Sequence, residues 1–177
     1  MKFFISALVL VIHICASPGN SAELETLNSA VNTQNEFQQF LDSISCKERV
    51  FLELFEISRQ ELDQVLNLLC ESKPLDLNLK TKTLESINKA HIKLDEFEST
   101  AAKFQGSSNS EIRKVVKEIL KFIEYGHYVL KGNYEFILSP EEFIAIDEKL
   151  NKLIEYQTLM KKQNEYVVQL VEEVLEQ

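Results

Sequence analysis

Tryptophan is absent from this chain of 177 residues, and only four glycines and three prolines occur in it. Two of those seven, Pro18 and Gly19, lie in one short N-terminal stretch. The rest of the chain therefore has few residues able to turn a hairpin or break a helix. Strand signals are nearly absent as well. So are catalytic signatures: there is no G-x-S-x-G, no H-E-x-x-H, no phosphate-binding glycine loop and no EF-hand loop. With no Asn-x-Ser/Thr sequon, N-glycosylation is not expected. Basic residues are in deficit, 19 Lys and Arg against 28 Asp and Glu. That balance disfavours nucleic acid and anionic membranes, which both need basic side chains to displace counterions.

What is present begins with residues 1–22. Lys2 is the single charge, Phe3 to Ile12 form an apolar block broken only by Ser6, and Ala16-Ser17-Pro18-Gly19-Asn20-Ser21-Ala22 supplies small and turn-forming residues. This is the layout of a secretory signal peptide, and the apolar run is too short for a membrane span. Cleavage is expected after Ala22, with Ser21 and Gly19 as alternatives, leaving residues 23–177 as one secreted, extracellular domain without a membrane anchor. Ile12-His13-Ile14 before Cys15 does not make a lipobox. Removing the leader takes away Lys2 alone among the charges and moves the net charge from −9 to −10. A chain of about 150 residues buries enough surface for a core without staples.

The rest reads as an all-α antiparallel bundle of five or six helices. Leu24 to Asp42 and Cys46 to Cys70 are the first two segments, with Pro74 closing the second. A third helix from near Lys80 carries Leu84, Ile87, His91, Leu94, Phe97, Ala101 and Phe104 at three- and four-residue steps, and ends by Gly106. The polar run 105–110 is a loop that caps the next helix, Glu111 to Lys131, whose stripe is Ile112, Val115, Ile119, Phe122 and Ile123. Gly132 is a natural stop, so Asn133 to Leu138 is expected as an apolar connection laid on the bundle or exposed as a contact site. Ser139-Pro140-Glu141-Glu142 combines an N-cap, a proline at the first helical position and a capping-box glutamate, and Leu138 and Phe143 stand where a hydrophobic staple would. The long heptad-patterned helix that follows places Phe143, Ile146, Leu150, Leu153, Gln157, Met160, Asn164, Val167, Val171 and Val174 on a three-four repeat. Its flanking positions hold Ile154, Tyr156, Val168, Leu170 and Leu175 rather than charges, which favours a helix enclosed by several neighbours over a narrow two-stranded coiled coil.

In an exported chain Cys46 and Cys70 are expected to form one disulfide. The bond needs Cα atoms within about 7 Å, whereas one continuous helix would hold these two about 36 Å apart. A reversal at Ser58 would reconcile them, because Ile57-Ser58-Arg59-Gln60-Glu61-Leu62 has the same cap grammar as the segment around Ser139. Against the reversal, the apolar phase Phe51, Phe55, Ser58, Leu62, Val65, Leu69 runs through unshifted, with no Gly or Pro to turn the chain.

Glu124-x-x-His127 is half of the ligand set used by di-iron bundles. The other half is missing, since His91 is preceded three residues earlier by Asn88. Two histidines on separate helices leave little for a zinc site, so no metal, no cofactor and no enzymatic activity are expected. Arg113, Lys114, Lys117 and Lys121 lie along one helix face and are read as solvated. Phe51, Phe55, Phe97, Phe104, Phe122, Phe136 and Phe143 are read as core, with a ligand-lined cavity as the alternative use. Taken together these features suggest a secreted helical-bundle protein that binds another protein through surface contacts. The alternatives are a carrier of an apolar small molecule such as a fatty acid, and a structural coiled-coil oligomer built on the last helix.

Overall fold

The computed structural model describes residues 21–141 and 147–176, and all secondary structure among them is helical. Four long helices follow one another: α1 (Ser21–Cys70), α2 (Leu77–Ala102), α3 (Ser110–Leu138) and α4 (Asp147–Leu175). The all-α class expected from the scarcity of Gly and Pro is observed, while the count is four rather than five or six among the described residues. The expected leader, residues 1–20, lies outside the described residues, and α1 begins at Ser21 beside the expected cleavage at Ala22.

The missing helices were lost by fusion. The first two expected segments form a single α1 of 50 residues, about 75 Å long. The reversal at Ser58 does not occur. The Ser58 hydroxyl donates to the Phe55 carbonyl within its own helix (2.7 Å) and Ser45 likewise to Leu41 (2.7 Å), so neither serine caps a new helix. Phe37, Leu41, Ile44, Glu48, Phe51, Phe55, Ser58, Leu62, Val65 and Leu69 keep one alternating four-three step through both serines, and all are buried or half-buried. This unbroken seam is what keeps the helix continuous.

The disulfide expected between Cys46 and Cys70 is thereby corrected. Both are exposed free thiols on one helix, about 36 Å apart, far beyond the reach of a bond. Under native conditions the thiols of Cys46 and Cys70 should both react with a maleimide, and mass spectrometry of the labelled peptides should show both adducts. An unlabelled chain under non-reducing conditions would contradict the continuous helix.

α1 ends where the chain turns at Ser72, which adopts the left-handed conformation (φ 54°). The Lys73 N–H then bonds the Leu68 carbonyl and Ser72 N–H that of Leu69, satisfying carbonyls that the helix end would orphan. Asp76 caps α2 by accepting from Asn78 N–H, and Asn109 caps α3 by accepting from Glu111 and Ile112 N–H, as expected of the polar run before it. Ser139 ends α3, and Pro140 and Glu141 are again helical, in keeping with a proline at a helix start. Glu142, Phe143 and Ile146, and with them the capping box and staple, lie outside the described residues.

Consecutive helices pair antiparallel. Between α1 and α2, Lys47 meets Glu96 (3.2 Å) and Glu61 meets Lys82 (3.1 Å). Between α2 and α3, Lys80 Nζ donates to the Leu138 carbonyl at one end while Phe97 and Phe122 meet toward the other. Between α3 and α4, Gln163 donates to the Glu118 carboxylate (2.9 Å) and Tyr156 meets Tyr125. α1 touches α3 only slightly, and among the described residues α4 packs on α3 alone. The helices thus form an antiparallel bundle packed in serial order, while among the described residues the expectation that several neighbours enclose the last helix is corrected. Leu153, Met160 and Leu170 face α3, while Ile154, Tyr166 and Leu175 remain exposed.

α3 is the central plank and buries two faces. Gly132, expected as a stop, lies inside it. A Cβ there would stand 2.8 Å from Leu153 Cδ1, and one at Gly126 would stand 2.9 Å from Leu94 Cδ2. The two glycines are notches for α4 and α2, and helix propensity is given up for that close approach. The phenylalanines fill the interior: Phe40 lies edge-on to Phe104 (5.0 Å), and Phe51 edge-on to Phe122 (6.0 Å).

Two carboxylates between helices respond to pH in opposite ways. Burial pushes the Glu48 carboxyl up from 4.5, because the α1 seam desolvates its charge. Its ionised form therefore weakens the folded state above its raised pKa, and the penalty vanishes as pH falls below the unfolded value. Burial of Glu118 acts in the same upward sense, but hydrogen bonds from Lys121 and Gln163 prevail and hold it below 4.5. That stabilisation is present above about 4.5 and is lost as pH falls through the folded value. Glu48→Gln should accordingly raise Tm by a few degrees at pH 7, with the gain shrinking toward pH 4. A gain independent of pH, or none, would contradict the desolvated seam.

Candidate functional site

The antiparallel register of α2 and α3 brings His91 and His127 face to face, although 36 residues separate them. Their rings lie 5.0 Å apart in an edge-to-face arrangement, with His127 Nδ1 3.4 Å from His91 Nε2. His91, Asp95 and Glu98 follow at four- and three-residue steps on α2, so helical periodicity turns all three toward α3. Glu98 Oε2 lies 3.1 Å from His127 Nε2. The Asp95 carboxylate stands between the rings, 3.7 Å from His91 Nδ1 and 3.8 Å from His127 Nε2. His127 is the most enclosed of the four, and the others are roughly half exposed.

The cluster forms one wall of an open cleft of about 450 Å³ between the two helices. Ile87, Leu120 and Leu130 give the cleft an apolar floor, and Glu124, Lys131, Tyr128 and Tyr134 complete its polar rim. Tyr128 is 47% exposed, and its ring stacks on Tyr156 of α4 at 4.4 Å and an interplanar angle of 8°.

Of the residues singled out in the sequence, Glu124, His127, His91 and Asn88 all line this cleft. Reading the histidines one at a time concealed that they meet. Asp95 and Glu98 were not singled out, although their spacing from His91 is a one-face pattern visible in the sequence. The basic run divides in the way expected of a solvated face. Arg113 donates to the Ser107 and Ser108 carbonyls at the start of its helix, and Lys121 pairs with Glu118 (2.9 Å). No family model, curated protein or solved structure matches the chain.

Proposed function

We propose that this is an exported, non-enzymatic helical protein that acts by binding another protein through the α2–α3 face. The observation that carries the reading is Tyr128: a large amphipathic ring, half exposed, already immobilised by its stack on Tyr156 beside a cleft with an apolar floor. Tyrosines dominate the energetics of many protein interfaces. A ring ordered before binding loses little further conformational freedom when a partner covers it. The leader-like segment and the acidic balance of the chain are in keeping with a soluble exported protein.

The test is capture from the fluid into which the protein is released, comparing the native chain with Tyr128→Ala and with Tyr166→Ala as an exposed control on α4. Expected is a partner retained by the native chain and the control but weakened at least tenfold by Tyr128→Ala. Equal capture by all three would remove the α2–α3 face from consideration.

A second reading, self-association through α4, has its own support in the exposed Ile154, Tyr166 and Leu175 on a helix with one neighbour among the described residues. Light scattering on a sizing column decides between monomer and oligomer. The carrier reading has less support, because Phe51, Phe55, Phe104 and Phe122 pack against other phenylalanine rings instead of lining a cavity.

A further inference from the structure

The polar atoms between α2 and α3 form a row of facing nitrogen and oxygen ligand atoms. Glu98 faces His127 Nε2, His127 Nδ1 faces His91 Nε2, and His91 Nδ1 faces Asp95. The two contacts to Asp95, at 3.7 and 3.8 Å, are too long for hydrogen bonds. They are close to the separation of about 3.4 Å between neighbouring ligands on a tetrahedral ion with bonds of 2.0–2.1 Å. His91, Asp95 and His127 each offer a ligand atom, all within 4.8 Å of one another.

We propose that His91, Asp95 and His127, with Glu98 beside them, bind a divalent transition-metal ion of the zinc type. Imidazole with carboxylate is a donor set suited to zinc and its borderline neighbours, and two nitrogens distinguish it from the all-oxygen sites preferred by calcium and magnesium. Glu98 Oε2, 3.1 Å from the same His127 Nε2, stands where a fourth ligand would. The partly exposed edge leaves room for water or for a side chain from another molecule. Because the ligands come from two helices, the ion would clamp α2 to α3, and the site stands whether or not the α2–α3 face docks a protein.

The test titrates zinc chloride into the full chain, free of any histidine tag, with Cys46→Ser and Cys70→Ser removing the exposed thiols that would compete. Calorimetry should give one ion per chain. His91→Ala and His127→Ala should each weaken binding by more than about tenfold, since loss of a mere supporting partner already weakens such sites by 10- to 100-fold. Cobalt(II) should give the intense visible bands of a tetrahedral site. Circular dichroism checks that the variants remain helical, and His127→Gln replaces His127→Ala if the latter does not fold. On the chain with both histidines, nitrogen-detected imidazole signals of His91 and His127 should shift together on adding zinc. Absence of saturable binding, affinity unchanged in the His91→Ala/His127→Ala double variant, or imidazole signals that ignore zinc would each overturn the assignment.

Discussion

Phe51→Ala should lower the stability of the folded chain by about 3–5 kcal/mol, the range for emptying a fully buried aromatic position. The ring is wholly buried, tilted against Phe55 at 5.7 Å and edge-on to Phe122 at 6.0 Å. It also lies beside the notch at Gly126 where Leu94 is seated. Phe51 is thus where α1, otherwise held by α2, reaches the central helix, and its loss opens a void shared by three helices. Since domains are stable by only about 5–15 kcal/mol, the folded population should fall sharply. Urea unfolding should show a large drop in midpoint with little change in slope, and Phe51→Leu should recover part of it. A loss under about 1 kcal/mol would mean that the three helices do not share this contact.

Leu153→Asp should act as strongly but more locally. Leu153 is buried against Gly132, and an unpaired charge there costs several kcal/mol. Because α4 packs on α3 alone among the described residues, the expected outcome is release of α4 from an otherwise folded array. Hydrogen exchange should show protection lost across Asp147–Leu175 and retained in α2. Gly132→Val attacks the same contact from the other side and should give the same pattern in milder form. Protection unchanged in both variants would show that α4 is not seated on the notch.

Much of this architecture can be read from single helices. The stripe Ile112, Val115, Ile119, Phe122 and Ile123 is buried as its periodicity requires, and Pro74 lies in the turn after α1. The misreadings arose where one residue satisfied two local rules. Ser58 and Ser139 share a cap grammar, but a proline follows Ser139 alone, and across Ser58 the apolar phase continues unshifted. A cap contributes about 1 kcal/mol, whereas a seam of buried Phe and Leu contributes several times that, so the seam decides. Gly132 reads as a helix end by local preference, but it is selected by the approach of Leu153, which belongs to another helix. The histidine pair depends on the register between α2 and α3, and that register is set by Leu94 seated against Gly126, a contact between two helices that neither helix shows alone.

The serial order of the helices has a kinetic consequence. Among the described residues every substantial interface joins helices adjacent in the chain, and only six residues separate α1 from α2 and seven separate α2 from α3, so few contacts require distant segments to find each other. Loop-closure entropy is then small at each docking step, and chains of such low contact order fold in microseconds to milliseconds. Assembly can proceed pair by pair, α1 with α2 and α3 with α4, until the glycine-notched face of α3 joins the two hairpins. The α2–α3 junction is accordingly expected to be the last interface to form, and residues such as Leu94 should speed unfolding when truncated while leaving the folding rate nearly unchanged.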